Sequence, residues 1–175
     1  MKPLVRSSVT LLLAVAALAL PAGAAAAPAS TSFAISGNEY AFTSTVGSFA
    51  GTGSGNAGDR ALWNTSVQHD PLGTVPTTYV NGGTFQMATA SPTGHADTVR
   101  GTFVNHGGTI TTLSTGPNCT NQRFLVTGAL HNVSTTTSSG GSGTFSVVLT
   151  HYRISLFGQC LIYNARVVGT VGFAY

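Results

Sequence analysis

The chain has 175 residues, with seven Lys and Arg against four Asp and Glu and a formal charge of +3. The single lysine, Lys2, and most of the excess positive charge fall away once residues 1–27 are set aside, which leaves 148 residues carrying five Arg, no Lys and four acids. A net charge near zero gives no basic footprint for nucleic acid or for an anionic membrane, and no later apolar run is long enough to span a bilayer, so nucleic-acid binding and membrane insertion are excluded from the expected function.

In chain order the first element is a leader. Lys2 and Arg6 precede an apolar run from Leu11 to Leu20, and Ala22-Gly23-Ala24 and Ala27-Pro28-Ala29 offer small-x-small sites. This grammar predicts a secretory signal peptide over 1–27, cleaved between residues 24 and 29, and a single extracytoplasmic domain over 28–175. Beyond it no window has a 3.6-residue apolar period, whereas period-two stretches recur between turn clusters such as Gly53-Ser54-Gly55-Asn56 and Ser91-Pro92-Thr93-Gly94. The predicted strands are 33–36, 40–50, 60–69, 78–89, 97–105, 108–115, 123–133, 143–155 and 161–174. With no crossover helices, they imply an all-β fold: an antiparallel up-and-down β-barrel, or alternatively a β-sandwich.

Alternation also predicts which side chains share a face. Tyr40, Phe42 and Val46 group together, then Ala61, Trp63 and Val67, then Phe85 and Met87, then Val99 and Phe103. In the last strand Leu161, Tyr163, Ala165, Val167, Val171 and Phe173 form the buried face, with Asn164, Arg166 and Thr170 on the other. Some polar residues continue apolar faces. His69 follows Trp63 and Val67, Asp97 precedes Val99 and Phe103, and His151 and Arg153 follow Val147 and Leu149. Inward-facing ionisable groups are costly unless paired, so convergence of these four would make a pocket with matched charge and shifted pKa values. Scattering at strand ends would leave them at a wet rim. Trp63 and Tyr79 complete the candidate ligand-binding set, and Tyr40, Trp63 and Phe85 offer aromatic faces to a ligand or to the core.

Two cysteines in an exported chain without Cys-x-x-Cys spacing predict one structural disulfide, Cys119–Cys160. Their midpoint falls in the turn signal Ser138-Ser139-Gly140-Gly141, which would place them at the open end of a hairpin made by 123–133 and 143–155. The catalytic inventory is nearly empty. There is no Gly-x-Ser-x-Gly, phosphate loop or His-x-His pair, and five histidines lack the spacing of metal ligands on a strand. No metal and no cofactor are expected.

Three segments carry a family resemblance: Gly47-Ser48-Phe49-Ala50-Gly51, Tyr79-Val80-Asn81-Gly82-Gly83-Thr84-Phe85, and Gly140-Gly141-Ser142-Gly143-Thr144-Phe145. In order and in glycine punctuation they resemble the allene oxide cyclase and dirigent-like β-barrel superfamily. The resemblance implies an eight-stranded barrel with a central cavity. It departs at Ser146, where dirigent-type members usually carry Arg, and no catalytic residue carries over by motif. The expected function is a secreted binding module for a small apolar or phenolic ligand. The alternatives are a cofactor-free isomerase, cyclase or lyase of the superfamily's type, with Asp97 and His69 or His151 as acid and base, and a self-assembling envelope protein. Homo-oligomer formation stays open.

Overall fold

A computed structural model describes residues 30–72, 75–115 and 119–175, and the signal peptide expected over 1–27 lies outside them. Eight strands follow one another: β1 (Ser30–Phe42), β2 (Val46–Gly55), β3 (Arg60–His69), β4 (Thr77–Ala90), β5 (Ala96–Ser114), β6 (Gln122–Ser134), β7 (Gly141–Leu156) and β8 (Gln159–Ala174). Each pairs antiparallel with the next, and β8 returns to pair with β1 from Ser30↔Ala174 to Asn38↔Arg166. The result is a closed up-and-down barrel, not a sandwich. Closure pairs every strand on both sides, so none of the eight is left as a free edge.

Eight strands replace the nine expected from the sequence. The segments 97–105 and 108–115 are one strand, β5, whose pairing to β6 shifts between Phe103 and Gly108, with His106 in the left-handed region at φ 54°. A β-bulge absorbs the extra residues without ending the strand. The segment 40–50 is instead cut in two, because Thr43 turns the chain. Its Oγ1 accepts from Val46 N at 3.1 Å, and its own N–H donates to Val46 O at 2.8 Å.

Bulges also correct the expected faces, since one extra residue moves every later side chain to the opposite face. In β8 the pairing with β7 shifts between Tyr152↔Asn164 and Arg153↔Ile162, leaving Tyr163 as the additional residue. Ala165, Val167, Val171 and Phe173 are buried as the alternation predicts, but Leu161 and Tyr163 are not, and Tyr163 is 66% exposed. In β1 Tyr40 is out of phase with the inward Phe33 and Ile35 and faces solvent, and the shift between Glu39 and Ala41 brings Phe42 to the cavity, so the two do not share a face. In β4 the shift between Val80 and Thr84 makes Val80 and Phe85 inward-facing on opposite parities, so Tyr79 faces outward.

The barrel interior is sealed at one end. Phe33, Phe85 and Phe173 stack with ring centroids 6.4 and 5.6 Å apart, and Met87, Val99 and Val133 are buried with them. Trp63 fits because β1 carries Gly37 opposite it. A methyl on Gly37 would stand 2.6 Å from the indole and 2.4 Å from the Ala50 carbonyl oxygen. The Cys119–Cys160 disulfide is formed, with its Cα atoms 5.4 Å apart. Its setting differs from the expected one. The β6–β7 hairpin pairs Gln122 with His151 and Val133 with Gly141, and Cys160 lies on β8 opposite Ser155. The bond therefore ties the segment before β6 to the far end of the β7–β8 hairpin.

Candidate functional site: a one-mouthed cavity

Period-two alternation in eight closed strands directs one set of side chains inward, and at the sealed end aromatic rings fill the space. Toward the other end they do not meet, and a cavity of about 420 Å³ remains. This lies within the range of small-molecule sites. Its wall is apolar: Ile35, Phe49, Trp63, Phe103, Val126 and Leu149 are among the lining residues. Trp63 has its one polar atom satisfied inside the wall, where Nε1 donates to Thr52 O at 3.0 Å. It therefore offers the cavity an apolar face.

Polar groups gather where β1, β3, β6 and β7 reach the mouth. Glu39, His69, Gln122 and His151 all line the cavity there, together with Thr43 and Ser44 of the β1–β2 turn. Register explains part of the grouping. His151 pairs with Gln122 on one side and Ala165 on the other, and the β1–β8 ladder ends at Asn38↔Arg166, one position short of setting Glu39 beside Ala165. Ala165 is small and buried, so the carboxyl and the imidazole flank a short side chain across one strand. Gly47 leaves room for the acid, since a Cβ there would come within 2.8 Å of Glu39 Oε1.

The electrostatics of the mouth follow from this placement. Burial without a charged partner pushes the Glu39 carboxyl up to about 7. Burial also depresses the His151 imidazole below its ordinary value, and the positive charges of His69 and Arg153 add to the effect. The ring of His151 meets Phe124 edge-on at 5.3 Å. His69 Nδ1 lies 2.7 Å from the Asp70 carbonyl oxygen, which can only accept, so Nδ1 carries a proton. The mouth thus holds a carboxyl, Glu39, held toward its proton-donating form and an imidazole, His151, held toward its proton-accepting form.

The six candidate residues are distributed unequally. His69, His151 and Trp63 line the cavity. Arg153 lies just beyond His151 on β7, past the bulge, and stands off the cavity wall; its N–H is held by Asn121 Oδ1 at 3.1 Å. Asp97 does begin the inward face of β5, but β5 starts at the sealed end, where Asp97 sits opposite Thr89. It cannot pair with Arg153 and does not join the pocket. Its Oδ1 instead accepts from Thr136 N at 3.0 Å, Thr136 Oγ1 at 2.8 Å and Thr98 N at 2.6 Å, pinning the β6–β7 turn. Burial alone would raise its pKa, and these three donors more than offset that, holding it below the ordinary value. Tyr79 is on the outer wall against His106, at 5.4 Å between rings.

Glu39 is the residue that the sequence reading missed. Its signal was parity with Phe33 and Ile35, hidden because Gly37-Asn38 looked like a break between strands. Among the described residues no group of three or more His, Cys, Asp or Glu is placed to hold a metal ion. Neither family models, curated proteins nor solved structures gave a match to this chain.

Proposed function

We propose that the protein is an exported barrel that takes a small apolar or phenolic ligand into its interior. One observation carries this reading: the 420 Å³ apolar cavity has its polar groups collected at a single mouth, so a ligand can bury its hydrocarbon and leave one polar end at Glu39, His69 and His151. A hydroxyl or carbonyl is the group that suits this rim, because Glu39 near pH 7 is half protonated and can donate or accept. Native mass spectrometry of the protein exported by its own host tests the proposal. An adduct of a few hundred daltons that dissociates on denaturation is the expected result, and uniformly empty protein that also fails to take up added 1-naphthol would overturn it.

A second reading has a specific observation in its favour. A carboxyl raised toward 7 and an imidazole lowered below its usual value, set on either side of one alanine at an apolar cavity, form the arrangement that general acid–base chemistry requires. The corresponding activity is a cofactor-free isomerisation, cyclisation or elimination, the type that the family resemblance implies. The acid is Glu39, in place of Asp97. Self-assembly of an envelope protein by strand pairing would need open strand edges, and the closed sheet of the described residues supplies none.

A further inference from the structure

The β7–β8 hairpin runs on past the barrel mouth, from Tyr152 through the turn at Phe157-Gly158 to Tyr163. Between Ile154 and Ala165 there is no charged residue. Ile154, Leu156, Leu161 and Ile162 are exposed on it, and Phe157 at its tip is 96% exposed. The apolar groups occupy both faces, since Ile154 pairs with Leu161 on one parity while Ile162, on the other, lines the cavity.

The turn itself is chosen against folding. Leu156 pairs with Gln159, and the two residues between them have φ of 51° and 77°, a two-residue turn with both positions left-handed. Asn-Gly is the sequence that such a turn favours, and a bulky side chain at the first position costs stability. Here that position holds phenylalanine, and its exposure shows that no packing among the described residues compensates for it. A local rule broken without a gain in packing points to a contact made elsewhere.

We infer that this hairpin tip docks on a lipid bilayer, inserting Phe157, Leu156 and the neighbouring aliphatics into the interface. An apolar face on one side would suit a protein groove. Apolar groups on both sides suit an apolar medium that surrounds the tip. Tyr152 and Tyr163, with rings 6.3 Å apart, stand at the base of the hairpin, at the level where aromatic side chains sit in an interface. The charges nearest on β7 and β8 are Arg153 and Arg166, and no Asp or Glu occurs after Asp97, so the hairpin's own two strands bring only positive charge to phosphate groups, while Glu39 stands beside them on β1. The near-neutral total charge conceals this distribution. The disulfide at Cys160 holds the hairpin to the segment before β6 and limits the ordering that docking has to supply. The barrel wall does not enter the bilayer, because its outer residues are mostly Thr, Ser, Asn and Gly.

The test is co-sedimentation of the full exported chain with phosphatidylcholine vesicles containing phosphatidylglycerol, for the wild type and for Phe157→Asn. The wild type should sediment with the vesicles. Phe157→Asn should weaken partitioning by about tenfold or more, the loss of one buried aromatic, while its thermal midpoint stays level or rises because the turn gains its preferred residue. In Phe157→Trp the indole emission should shift to the blue on adding vesicles and be quenched by brominated lipid. A wild type that stays in the supernatant, equal partitioning of the asparagine variant, or hairpin burial through a dimer seen by sedimentation without lipid would each overturn the inference. None of these outcomes depends on whether the cavity holds a ligand.

Discussion

Glu39 sets the strongest expectation at the level of single residues. Its folded-state pKa is raised from 4.5 to about 7, so the fold favours its protonated form. That contribution is complete below about pH 4.5 and is lost as pH rises through 7. Thermal midpoints should therefore fall between pH 5 and pH 8 in the wild type, and Glu39→Gln should flatten the fall and be the more stable protein at pH 8. His151 acts in the other direction. Its depressed pKa favours the neutral ring, a contribution present above about 6.5 and lost on acidification. His151→Gln should relieve the acid limb alone. Parallel midpoint curves for Glu39→Gln and wild type would show that the carboxyl is solvated. Asp97 belongs to a different account. Removing its three hydrogen bonds should cost about 1 kcal/mol, since they are partly exposed, and should leave ligand uptake at the other end unchanged. These residues also show where sequence reading stops. Parity placed Asp97 on an inward face correctly, but a face does not say which end of a barrel a residue occupies. Only strand direction does, and β5 runs from the sealed end to the mouth.

At the level of elements, bulges decide what alternation can reveal. In β8 the alternation is legible from Ala165 to Phe173 because nothing interrupts the ladder there. It fails from Leu161 to Tyr163 because one residue is inserted opposite Tyr152 and Arg153. Val167→Ala should then cost about 2 kcal/mol, as a buried aliphatic does, while Tyr163→Ala should cost under about 1 kcal/mol, the worth of its aromatic contact with Tyr152. Chemical denaturation of the two variants separates the bulged strand from an unbroken one, which would reverse the order. The disulfide was legible because only one pairing exists for two cysteines. Its hairpin setting was not, since the chain passes through a second turn at Phe157-Gly158 before Cys160. Cys160→Ser opens a loop with a sequence separation of 41 residues. It should lower stability by about 4 kcal/mol on the loop-entropy model, read as a lower midpoint in urea.

Across the whole molecule, the fold class was within reach of the sequence because a barrel is the sum of local rules: amphipathic strands, short turns, no helices and no crossovers. The cavity was not, because its volume depends on how far opposing side chains fall short of one another. Phe33, Phe85 and Phe173 close the space at one end, and the smaller Ile35, Val126 and Val167 leave it open toward the other. Closure also places residues from β1, β3 and β7 around one mouth, which no linear spacing among Glu39, His69 and His151 displays. The account rests on that mouth admitting an apolar molecule to the interior. Trp63, the single tryptophan of the chain, lines the cavity and reports directly on it. Titrating the folded barrel with 1-aminoanthracene while exciting Trp63 should give saturable energy transfer at one site per chain, displaced by 1-naphthol. Indole emission that stays constant through the titration, with the barrel folded, would contradict a ligand-binding interior.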